Sequence, residues 1–349
     1  MNEDGIQDVF AHLSGQDDNL GDSALRAGYF LAAQGDGRRF HLHFGVQSDD
    51  YLSGLPLTPA HRVYADPVDW LEAGATAFRP VLLLNTGEIN PLPGAYPRKE
   101  PALQLQRVLG RGGIVILAGA GLRQPSVADQ VCFHPALREA ALVSWRDTVS
   151  RDAAGFGDVA PDWGYALGSP TAQWPSADSR PLLAVTLRYD RPWPGDGWIA
   201  AVRSLAARTG TRIVTLAQVA RDAPRAVRLA AALGGEYRTP PSMRHPDLDA
   251  HVRAIYRQSL AVVSDRAHGL IIGATEGAFP VGSADDPQKI ARLLAVAGLA
   301  DLVGRHDQLA EVAPLLESKL AGLVPAIDSA RESIATLTLR MHQAMRSVA

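Results

Sequence analysis

Cysteine is all but missing from this chain. Cys132 stands alone in 349 residues, which excludes an intrachain disulfide and any zinc cluster built on thiolates. Lysine is nearly as scarce, with only Lys99, Lys289 and Lys319 among 34 basic residues. The remaining cations are arginines, a bias we attribute to genomic base composition, so their abundance alone carries no functional weight. Long apolar runs are lacking too, and nothing approaches the roughly 20 uncharged apolar residues that a membrane span needs. Internal repeats, low-complexity tracts, a P-loop lysine motif, a nucleophile-elbow serine and a paired-histidine zinc motif are all absent, which removes the commonest NTPase and hydrolase readings. The first residues, Met1-Asn-Glu-Asp-Gly-Ile6, carry acids where a signal peptide has a basic region and an apolar core, so the sequence predicts a cytoplasmic protein. A formal net charge of −3 speaks against a general nucleic-acid binder.

What is present is a globular composition, 46% apolar and 20% charged, in a chain long enough for two domains of about 150 residues. Apolar runs that read as buried strands alternate with helical patterns, as in a parallel sheet covered by helices. In the first half these runs are Pro80–Leu84, Gly113–Ala118 and Leu142–Ser144. In the second they are Leu182–Leu187, Arg212–Leu216, Ala261–Val263 and Phe279–Gly282. The turn-rich stretch from Gly168 to Arg180 is the predicted domain boundary. We expect a first lobe over 1–170, a second over 180–322, and a C-terminal helical tail over 323–349 that packs back on the first lobe.

Several local features carry two readings. Asn19-Leu-Gly-Asp22 is a polar turn before a helix, with Asp22 or Ser23 as the expected cap or Asn19 and Asp22 as part of a polar-ligand site. His41 and His43 share one strand face at metal-ligand spacing, but no third ligand lies nearby and no metal is expected. The strand ending in Gly119-Ala-Gly121 opens like a dinucleotide fingerprint, yet Gln124 occupies the third glycine position and Pro125 follows, which argues against a nicotinamide site. Asn85-Thr-Gly-Glu88 leads into a proline-rich loop through Pro101.

The most informative stretch is Ala261 to Val281. An apolar strand breaks at Ser264-Asp265, presents Arg266 and His268, and resumes as an apolar helix from Leu270. A turn at the carboxyl end of a strand in an open α/β sheet is where ligands usually sit. An arginine and a histidine there suit an anion and a proton transfer. Salt bridges to neighbouring carboxylates are the competing role for the arginines, Asp190 for Arg188 and Asp147 for Arg146.

Taken together, Asn19–Asp22, Trp145-Arg-Asp-Thr-Val-Ser150, Pro161-Asp162, Leu187-Arg188 and Ser264-Asp-Arg-Ala-His-Gly269 followed by Pro280 resemble the polysaccharide pyruvyl transferase family. These islands come in that family's order over about residues 18 to 320. The resemblance implies an α/β fold of two Rossmann-like lobes facing a cleft, similar to the B-type glycosyltransferases. It also implies transfer of pyruvate from phosphoenolpyruvate onto two hydroxyls of a sugar as a cyclic ketal, with no cofactor besides that donor. The acceptor would be a saccharide or a lipid-linked oligosaccharide. The family's Arg-x-His motif maps onto Arg266, Ala267 and His268; its usual middle leucine is Ala267 here, which leaves a main-chain role. Arg188 maps onto the arginine ending the second-lobe strand, and Arg146 is a third donor-binding candidate. His268 and Arg266 are the expected catalytic pair, and Asn19, Asp22, Asn85 and Glu88 the acceptor-side candidates. Loss of Arg266 or His268 is expected to cut turnover while leaving the protein folded. A B-type glycosyltransferase using a nucleotide sugar and a non-catalytic partner protein that keeps the fold are the alternatives.

Overall fold

Short apolar runs bounded by turn residues give strands buried on both faces, and here they assemble into two large parallel sheets, beside one two-stranded parallel pair. The computed structural model describes residues 6–92 and 94–348. Residues 1–5, which carry the reading against a signal peptide, lie outside the described residues, as does Pro93 of the proline-rich loop. The chain divides into two units. The first holds residues 6–17, 25–163 and 333–348; the second holds residues 18–24 and 164–332.

In the first unit the strands are β1 (Gln7–His12), β2 (Arg38–His43), β3 (Arg62–Tyr64), β4 (Val81–Leu84), β5 (Gly87–Ile89), β6 (Ala95–Tyr96), β7 (Ile114–Leu122), β8 (Cys132–Phe133), β9 (Leu142–Trp145) and β10 (Asp158–Val159). The main sheet runs β10-β9-β7-β4-β1-β2-β3, with β5 paired to β7, and its pairings are parallel. Two features are not legible in the sequence. Strand β5 takes up the end of Asn85–Glu88 and β6 lies in the proline-rich loop after it, where no strand is expected, and β7 continues through both glycines to Leu122 rather than stopping at Ala118. Those glycines make room for large neighbours. A Cβ on Gly119, whose φ is +80°, would sit 2.5 Å from Trp163 Cδ1, and one on Gly121 would sit 2.8 Å from Arg146 Nε. The Gly-x-Gly is a packing device.

In the second unit the strands are β11 (Leu182–Thr186), β12 (Arg212–Thr215), β13 (Glu236–Tyr237), β14 (Ser259–Ser264), β15 (Phe279–Ala284) and β16 (Val303–Arg305). Their order, β13-β12-β11-β14-β15-β16, is the doubly wound order 3-2-1-4-5-6, which reverses between β11 and β14. The first sheet reverses in the same way between β1 and β4. Strands β11 and β14 are buried along their whole length. The helix Ala267–Thr275 that follows β14 is buried from Gly269 onward, so the crossover is fixed by its own apolar surface.

The stretch read as a linker, Gly168 to Arg180, is already part of the second unit. Arg180 is buried and donates to the carbonyls of Glu276 at 2.9 Å and Arg257 at 3.1 Å, while Ser169 Oγ donates to Glu276 at 2.7 Å. The division therefore falls at Trp163, ahead of the composition change. The long helix Leu323–Arg346 contributes residues 323–332 to the second unit and the rest to the first. There Met341 and Met345 are fully buried, and His342 Nε2 lies 2.8 Å from the Ala32 carbonyl. Among the described residues no helix is long and apolar enough to cross a membrane.

Candidate functional site

Ligands of doubly wound sheets collect where the strand order reverses, outside the carboxyl ends of the two flanking strands. In the second unit those ends are Leu187-Arg188 after β11 and Asp265-Arg266 after β14. They are tied together by the Arg188 N–H, which donates to Asp265 Oδ1 at 2.8 Å. Arg266 opens the helix Ala267–Thr275 and supplies no side-chain cap to it; its own N–H donates to Ser264 Oγ at 2.9 Å. The start of a helix so placed favours an anion.

Both arginines are held by carboxylates. Arg266 donates through Nε and Nη2 to Asp222 at 2.6 and 2.8 Å, with 9% of the Arg266 side chain exposed and none of Asp222. Asp222 also accepts from the Tyr189 N–H at 2.9 Å. This fork-to-fork pair fixes the guanidinium plane, and among the described residues nothing bonds Arg266 Nη1. Arg188 pairs with Asp190 at 2.7 and 2.9 Å, the partner its competing role named, and that bridge holds the Asp190 carboxyl down at about 2. Anion recognition at this crevice would therefore come from directed N–H groups rather than from excess positive charge.

His268 stands in the first turn of the same helix, half-buried. The polar turn Asn19–Asp22 lies against it: a Cβ on Gly21 would come within 2.5 Å of His268 Cβ and 2.7 Å of its Nδ1. No side chain fits at position 21, which gives the glycine of that motif a physical reason. The helix here starts at Leu20, with Asn19 Oδ1 accepting from the Gly21 N–H at 3.0 Å. Asn19 thus takes the capping place expected of Asp22 or Ser23, because the helix begins three or four residues earlier than those caps imply. Ser23 Oγ instead lies 2.8 Å from His245 Nδ1, both buried. Asp18 pairs with Arg221 through two bonds of 2.8 Å, and Arg221 packs its guanidinium 4.9 Å from the Tyr189 ring centre. Asn19 and Asp22, expected beside Asn85 and Glu88, belong to the unit that holds His268.

The other candidates are in the first unit. Arg146 is buried and donates to Asp162 Oδ2 at 3.2 Å, with Glu88 Oε1 at 3.8 Å from its Nη2. Asp147, the partner expected for it, caps the helix Thr148–Ala154 by accepting from the Ser150 N–H at 2.7 Å. Asn85 lies just past β4 at the first sheet's reversal point. Its amide donates to the Ser14 carbonyl at 2.8 Å and its Oδ1 accepts from Arg26 Nε at 3.2 Å. Arg188, Ala267, Arg266 and His268 thus gather at the ends of β11 and β14 in the second unit; in the first unit Arg146 meets Glu88 and Asp162, while Asn85 is bonded to Ser14 and Arg26. His41 bonds Asp8 at 2.8 Å and Tyr64 at 2.7 Å, and His43 stacks on Trp70. Among the described residues no group of three or more His, Cys, Asp or Glu side chains is placed to hold a metal.

Two participants at this crevice, and one histidine of the first unit, escape a reading of the sequence. Asp222 lies 44 residues before Arg266 in the chain, and no spacing rule connects them. Asp265 reads as a turn residue, although burial pushes its carboxyl up to about 6. His12, ending β1 at the first sheet's reversal point, is driven down to about 4 by burial and then by His43 and Arg26; a lone histidine at a strand end gives no signal.

Two parallel, doubly wound α/β units define the class: a pair of Rossmann-like units, similar to the B-type glycosyltransferases. Among solved structures, Anabaena HepE in complex with UDP matches over 98% of this chain and 100% of its own, at 11% identity and a TM-score of 0.59. S. aureus MnaA with UDP matches over 91% of each chain at 11% identity and a TM-score of 0.51. A mutant O-GlcNAc transferase of Thermobaculum terrenum matches over 99% of this chain and 69% of its own, at 14% identity and a TM-score of 0.50. No family model matches the sequence, and no curated protein matches it significantly.

Proposed function

We propose that this protein is a ketal pyruvyl transferase, which moves pyruvate from phosphoenolpyruvate onto two hydroxyls of a saccharide and releases phosphate. The observation that supports this reading most is the meeting of Asn19-Leu-Gly21 with Arg266-Ala-His268 beside the β11/β14 reversal point. Two islands of the resemblance, far apart in the chain, build one site. Phosphoenolpyruvate carries a carboxylate and a phosphate on a small frame, which suits a helix start flanked by fixed guanidinium groups. Arg266 would present Nη1 to the donor, and Ala267 its main chain. His268 would accept the proton of an attacking hydroxyl.

The reading that competes is transfer of a sugar from a nucleotide sugar, which the same fold can serve. Calorimetric titration of the full-length protein with phosphoenolpyruvate and, separately, with UDP and ADP distinguishes them. Phosphoenolpyruvate binding, with phosphate release on adding a galactose, glucose, mannose or N-acetylated acceptor, is the expected result. Binding of a nucleoside diphosphate with no response to phosphoenolpyruvate would overturn the proposal. Binding of phosphoenolpyruvate without turnover on any acceptor would instead favour a non-catalytic partner protein.

A further inference from the structure

Resting on the pyruvyl-transfer reading, we propose that Asp265, rather than His268, donates the proton to the vinylic carbon of phosphoenolpyruvate, from a carboxyl group set between the ends of β11 and β14. One oxygen, Oδ1, accepts the Arg188 N–H at 2.8 Å and so fixes the carboxyl in place. The other, Oδ2, is shut off from solvent and has no hydrogen-bond partner among the described residues. A buried carboxylate oxygen without a partner is costly in a finished structure. At the point where an α/β sheet gathers its ligand, such an atom marks a place for a proton or for a ligand.

The surroundings set which of the two. Arg188 and Arg266 face Asp265 and favour the carboxylate, but the first is held by Asp190 and the second by Asp222. Asp222 itself is a like charge that favours the acid, and burial outweighs all of them, raising the group to about 6. A carboxylic acid so poised can give up its proton and recover it within a turnover at neutral pH.

The step balances. The Asp265 O–H bond breaks and a C–H bond forms at C3, using the π pair of the enol, so that C2 becomes a cation stabilised by its ester oxygen. A saccharide hydroxyl adds to C2 and passes its proton through His268 to water, from which Asp265 is reloaded. Phosphate then leaves with the pair of its C–O bond, the second hydroxyl adds, and that proton goes with the phosphate. The new methyl group carries the hydrogen from Asp265.

The test uses the full-length protein and Asp265→Asn, whose side-chain oxygen can still accept the Arg188 N–H, with His268→Gln in parallel. Phosphoenolpyruvate binding is read by calorimetry and turnover by phosphate release between pH 5 and 8. We expect Asp265→Asn to bind the donor within about threefold of the parent and to turn over at least about 100-fold more slowly. The decline of rate as pH rises past the Asp265 range should vanish in Asp265→Asn and persist in the residual activity of His268→Gln. Turnover of Asp265→Asn within about tenfold of the parent, or the same high-pH decline in it, would overturn the assignment while leaving pyruvyl transfer standing. Failure of the parent to bind phosphoenolpyruvate would overturn both. If Asp265→Asn does not fold, Asp265→Glu serves, which keeps an acid and displaces it: restored turnover with a shifted decline supports the role, and an unchanged profile refutes it.

Discussion

Arg266 shows how a residue can be chosen correctly for its chemistry and still be misjudged for its energetics. The sequence places it at the helix start after β14, and that is where it is. Its bidentate bond to Asp222 is invisible there, because ion-pair partners are chosen by the fold rather than by spacing. Breaking a buried pair by removing one partner typically costs about 3–5 kcal/mol, so Arg266→Ala is expected to destabilise the second unit by that order, contrary to the expectation of an intact fold. Urea unfolding checks this; an Arg266→Ala midpoint equal to the parent's would mean that Asp222 tolerates isolation. Gly21 makes a second test at this scale. A methyl group at this position has no space beside His268, and overpacking of this kind costs about 1–3 kcal/mol. Gly21→Ala should lower thermal stability and shift the His268 ring resonances in NMR, whereas Ala at exposed Gly322, which has nothing within 4 Å of its Cβ site, should do neither.

Elements are more legible than side-chain partners. β4, β11 and β14 can be read because buried parallel strands are near-continuous apolar runs, and the runs Leu82–Leu84 and Ala261–Val263 have no competing pattern. β7 reads short because glycine ordinarily punctuates a strand, and only the positions of Trp163 and Arg146 explain why it continues. β5 and β6 are two or three residues long and rest on pairing alone. Composition misplaces the domain boundary for a related reason: turn-rich sequence marks irregular backbone, and irregular backbone can be well anchored, as Ser169 and Arg180 are to Glu276. That carboxylate, 1% exposed, also binds Arg253 at 3.1 Å and Arg257 at 3.2 Å, joining the helix His245–Arg257 to the end of the helix behind the candidate site. Glu276→Ala removes one of the two carboxylates that hold Arg253, the other being Asp249 at 2.9 Å, and is expected to cost about 1–3 kcal/mol, measured by the urea midpoint. Segment-resolved hydrogen exchange should then rise in both helices and stay unchanged in β1–β4.

For the molecule as a whole, His12 and Asp265 contribute to the acid response of their units in opposite senses. His12 in the first unit sits at about 4 against an ordinary 6.5. Between those values the unfolded chain binds more protons, so the stability of that unit rises with pH. Asp265 in the second unit sits at about 6 against an ordinary 3.8; the folded state binds more protons in that window, and stability falls as pH rises through it. Hydrogen exchange compared between about pH 4.5 and about pH 6 should show protection rising in the first unit and falling in the second. His12→Gln should weaken the first trend, to which His61 and His342 also contribute, and Asp265→Asn should abolish or reverse the second, which His306 opposes. The helix Leu20–Ala33 adds a different kind of consequence, since its first turn belongs to one unit and the remainder to the other. Neither unit is an unbroken piece of chain. During synthesis on a ribosome, the turn that will seat His268 emerges long before His268 exists, and the first unit waits for Met341 and Met345 before its core can close.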